Sequence, residues 1–209
     1  MVPGKFISLE GGEGAGKSTQ AKLLRSALEA RGHSVLLTRE PGGSPGAEEI
    51  RKLLVEGEPE RWTPLGETLL FLAARADHVT RAIAPALASG AWVISDRFAD
   101  STVVYQGIAR GLGMARVRAL QMAALGDFMP DLTLVLDVNP QDGLARAGAR
   151  GAAENRFERF DDAFHRRLRD GFLAIAAEAP QRCAILDAAG TVDAVAAKIW
   201  NIVAERLRP

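Results

Sequence analysis

The stretch Phe6-Ile-Ser-Leu-Glu-Gly-Gly-Glu-Gly-Ala-Gly-Lys-Ser-Thr19, FISLEGGEGAGKST, decides the fold. A short apolar run ends in glycines, and Lys-Ser-Thr then opens a helix-like pattern. Gly11-x-x-x-x-Gly16-Lys17-Ser18 matches the phosphate-loop pattern G-x-x-x-x-G-K-[ST] in the strand-to-helix setting that gives it meaning. Glycines let backbone N–H groups turn inward, and the start of the helix adds its positive dipole end. Lys17 can reach the β- and γ-phosphates, and Ser18 offers a hydroxyl to Mg²⁺. Gly11, Gly12, Glu13, Gly14, Ala15, Gly16, Lys17, Ser18 and Thr19 are therefore the candidate triphosphate-binding residues. Glu13 is the awkward member. A carboxylate aimed at a polyanion would repel it, so its side chain is expected to point out of the loop.

Outward from this stretch, short apolar runs alternate with longer helical patterns. Lys5–Glu10, Ser34–Arg39, Trp92–Asp96, Leu132–Val138 and Cys183–Asp187 read as buried strands bounded by Gly, Pro or Asp. Lys17–Arg31, Gly46–Glu56, Leu65–Ala88, Gly113–Phe128, Asp142–Ala149, Asp161–Ala179 and Val192–Leu207 read as helices. This alternation predicts an α/β protein of the P-loop NTPase type: a parallel β-sheet flanked by helices. Residues 1–209 are expected to form one such domain. Within it, about 146–159 is rich in arginine and small residues and reads as a mobile basic lid.

Bulk properties narrow the function little. Lys+Arg and Asp+Glu both total 26, so no overall charge draws the chain to nucleic acid or membrane. The single cysteine, Cys183, lies in an apolar run and reads as a buried strand residue. His33, His78 and His165 lack the partners of a zinc site and read as surface or structural residues. Nothing resembles a signal peptide or a spanning helix, and the expected location is the cytoplasm.

The loop alone leaves three classes open: a GTPase switch, an ATPase or motor module, and a kinase acting on a small acceptor. Asp137-Val-Asn-Pro-Gln-Asp142 stands where a guanine reader N-K-x-D would be sought, and it lacks the lysine. A small-acceptor kinase requires a second polar site beside the first. Arg39-Glu-Pro-Gly-Gly-Ser44 and Asp96-Arg-Phe-Ala-Asp-Ser-Thr-Val-Val-Tyr-Gln-Gly107 each follow a strand, and ligands bind beyond the carboxyl ends of parallel strands. Phe71 and Arg75, four apart, share one helix face.

Taken together, EGGEGAGKST, TREPGGS, LLFLAAR, SDRFADSTVVYQG and LVLDVNPQDGLAR resemble the bacterial thymidylate kinase (dTMP kinase) family, in family order from Phe6 to about Glu158. The resemblance implies a sheet of five parallel strands, usually a homodimer, and the reaction ATP + dTMP → ADP + dTDP with Mg²⁺. It implies that Phe71 stacks on thymine, that Arg75 donates to a thymine carbonyl, and that Ser101 and Gln106 read the base. Tyr105 would crowd the deoxyribose, and Glu13 would accept from its 3′-hydroxyl. Arg97 would hold the acceptor phosphate with help from Arg51. Asp96 would place the metal with Ser18, and Glu40 would line the transfer region.

Arg146 would lie against adenine, and the lid arginines Arg150 and Arg156 would close on the phosphates. The sequence departs from the family here. Gly148 stands where arginine is frequent, and Asn155-Arg156 where Asp-Arg is common. The match to that pair makes Arg156 the expected contact to the transferred phosphoryl. Another small nucleotide or nucleoside acceptor is the alternative. The absence of a catalytic histidine fits, because an acceptor phosphate is already ionised near neutral pH.

Overall fold

The computed structural model describes residues 4–148 and 156–209. In chain order the elements are β1 (Phe6–Glu10), α1 (Lys17–Glu29), β2 (Val35–Arg39), α2 (Pro45–Val55) and α3 (Pro64–His78). α3 runs through a π-helical turn, Val79–Ile83, into α4 (Ala84–Ala88). After β3 (Trp92–Asp96) comes α5 (Ala99–Thr102), which continues as a π-helical segment, Val103–Ala109. Then follow α6 (Met114–Leu125), β4 (Leu132–Asp137), α7 (Pro140–Gly148), α8 (Asp162–Glu178), β5 (Cys183–Asp187) and α9 (Val192–Leu207).

The five strands pair in parallel in the order β2-β3-β1-β4-β5. Side chains alternate across the sheet, as the period of two demands. Ile7, Leu9, Ile94, Leu134 and Leu136 face one side, where Ala21, Leu24 and Leu28 of α1 and Val195, Ile199 and Val203 of α9 cover them. Phe6 and Val93 face the other side and meet Val79, Ile83 and Phe98. Val135 and Cys183 meet Phe164, Leu168 and Phe172 of α8 there. The three inner strands are buried apart from the terminal Asp96 and Asp137. β2 is half-buried and Ile185 of β5 is exposed, because these two strands form the sheet edges.

The π-helical segment Val103–Ala109 was not foreseen as helical. Its paired valines and its glycine are poor helix formers, and packing against α8 and α6 holds it instead.

At the carboxyl edge, Arg39, Asp96 and Glu10 end the neighbouring strands β2, β3 and β1, and the phosphate loop leaves from β1, the central strand of the sheet. α1 begins after Gly16 in the left-handed conformation (φ 89°) with no side-chain cap, so its first-turn N–H groups remain open to an anion. The other side of the loop packs backbone to backbone on α7. A Cβ at Gly14 would meet the Gly143 carbonyl at 1.8 Å, and one at Gly143 would meet the Glu13 carbonyl at 2.3 Å.

This contact yields a prediction whose sign differs from helix propensity. Alanine for glycine inside a helix ordinarily stabilises by about 1 kcal/mol. Gly143→Ala should instead lower the Tm and weaken ATP binding at least about tenfold, since neither backbone can retreat without deforming the loop. Thermal denaturation and calorimetric titration with ATP check it; an unchanged or raised Tm with normal ATP affinity would refute the packing argument.

Candidate active site

The apposition of β1 and β3 places two charged groups on either side of the loop. Arg97 follows β3 with φ 71°, a conformation that costs an L-residue about 1–2 kcal/mol. In return its side chain turns back across the loop, donating to the Gly11 carbonyl at 2.9 Å, Ser101 Oγ at 3.2 Å and Glu13 Oε1 at 2.9 Å. Tyr105 Oη donates to the same Glu13 oxygen at 2.6 Å. Glu13 thus points away from the phosphate cradle. Burial would raise its carboxyl, but Arg97 and Lys17 outweigh this and lower it to about 2. Burial would likewise lower Arg97, and the surrounding Tyr105, Glu13 and Asp96 hold it charged.

On the cradle side, Lys17 Nζ donates to the carbonyls of Gly12 at 2.7 Å and Gly11 at 3.2 Å. Burial, then the nearby Arg97, push its ammonium down to about 8. Ser18 Oγ donates to Asp96 Oδ2. A hydroxyl and a carboxylate so placed beside a phosphate loop are the hard oxygen donors that suit Mg²⁺. A shallow cavity continues along Gly14, Gly16, Thr19 and Arg146 to the loop Ala188–Val192, the expected adenine side. Arg146 donates there to the Ala188 and Ala189 carbonyls.

A second cavity opens on the far side of Glu13. Glu13, Glu40, Arg51, Phe71, Arg75, Arg97, Ser101, Tyr105 and Gln106 all line it, so every residue singled out for the acceptor converges on one space. Arg75 is buried and tightly held: Nε donates to Glu40 Oε2 at 2.6 Å, and Nη2 to the Phe98 carbonyl and Thr102 Oγ1. Its Nη1 has no hydrogen-bond partner among the described residues. Glu40 also accepts from His78 at 3.0 Å, so this acid braces Arg75. Arg51 donates to the Pro41 carbonyl at 2.6 Å. Gln106 Nε2 donates to Glu67 Oε1 at 2.9 Å, leaving Gln106 Oε1 buried without a partner among the described residues.

The lid expectations fare differently. Arg150 lies outside the described residues. Arg156, expected at the transferred phosphoryl, is instead buried away from the loop. Its three guanidinium nitrogens donate to the carbonyls of Glu58, Leu54 and Pro59, and Nη2 lies 2.5 Å from Glu67. Desolvated carbonyls and a buried carboxylate demand such a donor, and the sequence around Asn155-Arg156 gave no sign of them.

The residues missed were Glu67, His78, Thr102 and Phe157. Glu67, Phe71, Arg75 and His78 follow at spacings of four, four and three, one stripe of α3, and that periodicity was a usable signal. Phe157 lines the second cavity and meets Tyr105 edge-on at 5.4 Å. Placed in an arginine-rich segment, it carried no such signal. Glu10 was also passed over; it accepts from Phe98 N and Ser101 Oγ, and burial beside Asp100 raises it to about 7.

Comparison with known proteins agrees with this geometry. Residues 9–199 match the family model described as thymidylate kinase. The chain is 54% identical over 207 residues to the thymidylate kinase of Caulobacter vibrioides, covering 99% of each. It is 54% identical over 206 residues to that of Jannaschia sp., again covering 99% of each. The crystal structure of thymidylate kinase from Ehrlichia chaffeensis superposes with a TM-score of 0.77 at 34% identity, covering 96% of this chain and 99% of that one.

The depressed Lys17 gives the loop a pH signature. A triphosphate binds the ammonium form, which is complete below the free-site value of about 8 and is lost above it. ATP affinity should therefore be flat near pH 7 and fall by up to about tenfold per pH unit above 8. Lys17→Arg, which stays charged, should remove that fall. Titration with ATP from pH 7 to about 9.5 tests this, and a wild-type profile as flat as the arginine variant's would exclude the assignment.

Proposed function

The chain belongs to the thymidylate kinase family, and on that premise we propose how its two cavities divide the reaction. The enzyme phosphorylates dTMP to dTDP with ATP, a step in dTTP synthesis. ATP lies along the loop, with its adenine toward Arg146 and Ala188, and dTMP occupies the cavity beyond Glu13. The observation that carries this reading is a pair of buried polar atoms, without partners among the described residues, on two side chains that line the second cavity. Arg75 Nη1 is a donor and Gln106 Oε1 an acceptor. A thymine edge presents the reverse, an O4 acceptor beside an N3–H donor. Phe71 stacks on the ring, Tyr105 limits space at the sugar, and Glu13 accepts from the 3′-hydroxyl.

Transfer of a phosphoryl group needs positioning and charge neutralisation more than covalent chemistry. Arg97, helped by Arg51, holds the acceptor phosphate, while Lys17 draws on the donor phosphates. Ser18 and Asp96 are the residues that would hold Mg²⁺, directly or through water, and the ion supplies further neutralisation of the phosphates. With the guanidinium of Arg156 engaged under α2 and α3, Arg150 is the lid residue assigned to the transferred phosphoryl. Glu40 contributes by holding Arg75.

A kinase for another small acceptor is the competing reading. ADP formation with dTMP, dUMP, dCMP, dAMP and thymidine separates the two, and strong preference for anything other than dTMP would overturn the assignment. Within that panel, Glu13→Ala should damage dTMP use at least tenfold, about the worth of a charge-assisted hydrogen bond, while ATP binding changes little. Equal losses for both substrates would place Glu13 elsewhere.

Assembly as a homodimer has a physical motive. Nine of the twelve residues of α6 are apolar, yet only Val117 is buried. Met122 of α6 and Leu69 of the contacting α3 stand exposed. A second copy covering this face would bury them. Met122→Glu should then give a folded monomer by light scattering at micromolar concentration; an unaltered dimer would move the interface elsewhere. Among the described residues no helix is long and apolar enough to cross a membrane, and a cytoplasmic location accords with substrates that are free nucleotides.

A further inference from the structure

We propose that Glu67, which lies behind the acceptor cavity and does not line it, is a positioning residue that decides which base is read. The proposal rests on the reading of that cavity as the thymine site. An amide side chain can present either its oxygen or its NH₂ to a ligand, and the two ends have nearly the same shape. Something must choose between them. Gln106 Nε2 lies 2.9 Å from Glu67 Oε1, within a fully buried contact. A carboxylate only accepts, so reversing the amide would set two oxygens against each other in a site without solvent. The donor end is thereby turned away from the base, and Oε1 is presented to it.

The carboxylate is itself held in place. Arg156 Nη2 is 2.5 Å from Glu67 Oε2, and Arg110 Nε is 3.6 Å from Oε1. Arg156 and Arg110 are anchored by backbone carbonyls: Leu54, Glu58 and Pro59 for one, Pro59 and Trp62 for the other. Two buried guanidinium groups thus fix the charge of Glu67, and Glu67 fixes the orientation of Gln106. Cytosine would bring an N3 acceptor against Gln106 Oε1 and an N4 donor against Arg75 Nη1. Thymine satisfies both. Discrimination between these bases is set one residue behind the contact surface.

Glu67→Gln removes the constraint, because the new amide can pair with either end of Gln106. The ratio of kcat/KM for dTMP over dCMP should fall about tenfold or more, the usual effect of relieving one mispaired buried group. The KM for ATP should not change. In a Gln106→Leu background the same change should leave the ratio unaltered, and Glu67→Asp should restore most of it. If Glu67→Gln slows dTMP and dCMP equally, Glu67 is merely structural and the proposal fails.

Should that variant not fold, the wild-type enzyme still decides. The Gln106 side-chain NH₂ resonances, assigned by their loss in Gln106→Leu, should stay protected from solvent exchange when dTMP binds. Loss of protection would mean that the amide leaves Glu67, and would overturn the proposal. The underlying site reading is tested separately with N3-methyl-dTMP on wild-type enzyme. Full acceptance of that analogue would sink the thymine site itself, whereas rejection with an unchanged ratio in Glu67→Gln would sink only the role of Glu67.

Discussion

The contact between Arg97 and Glu13 is the one on which the remainder of the site depends. It joins the turn after β3 to the loop after β1, and so ties one substrate's cavity to the other's. Without it, the loop acid would stand as an unpaired charge beside a triphosphate site. With it, the acid is turned away from the cradle, and both it and the cation that holds it line the second cavity. The positive φ of Arg97 is local strain at the turn from which its side chain reaches back over Gly11.

Two further buried charge clusters back the second cavity: Glu40 with Arg75 and His78, and Glu67 with Arg156 and Arg110. Burying ions costs desolvation that their attraction only partly offsets, so such clusters are a poor means of gaining stability. Their placement suggests another use. Arg75 must offer one fixed N–H, and Gln106 one fixed oxygen. Apolar packing is non-directional and cannot choose which atom of an amide or guanidinium faces a ligand. With its other donors engaged by Glu40, Phe98 and Thr102, Arg75 keeps only Nη1 without a partner among the described residues, the atom proposed to meet the base.

Much of this was legible in the chain. The strand boundaries followed from apolar runs ended by Gly or Asp. The phosphate loop followed from its spacing, and residues that line the second cavity followed from motifs at strand ends and one helix face. What was not legible has a common cause. Arg156 reads in sequence as one arginine of a basic lid, yet its partners are carbonyls near residue 54 and a carboxylate at 67, far off along the chain. Tyr105 and Gln106 lie in a π-helical segment whose residues have no intrinsic preference for it. Glu67 carried a periodic signal, but a helical stripe does not say which of its members meets a ligand and which supports one.

By itself, then, the sequence determined the parallel sheet, the place of the loop on its carboxyl edge and the chemical types available to two substrates. These depend on local pattern: alternation sets strands, glycine spacing sets the loop, and strand direction sets the edge at which ligands bind. Only the tertiary structure decided which donor and acceptor atoms were left unpaired. It also decided where the Glu13 carboxylate turned, and that Arg156 serves as an anchor. Those outcomes depend on hydrogen-bond partners brought together from distant segments, and a buried polar atom's role is defined by the partner it has or lacks.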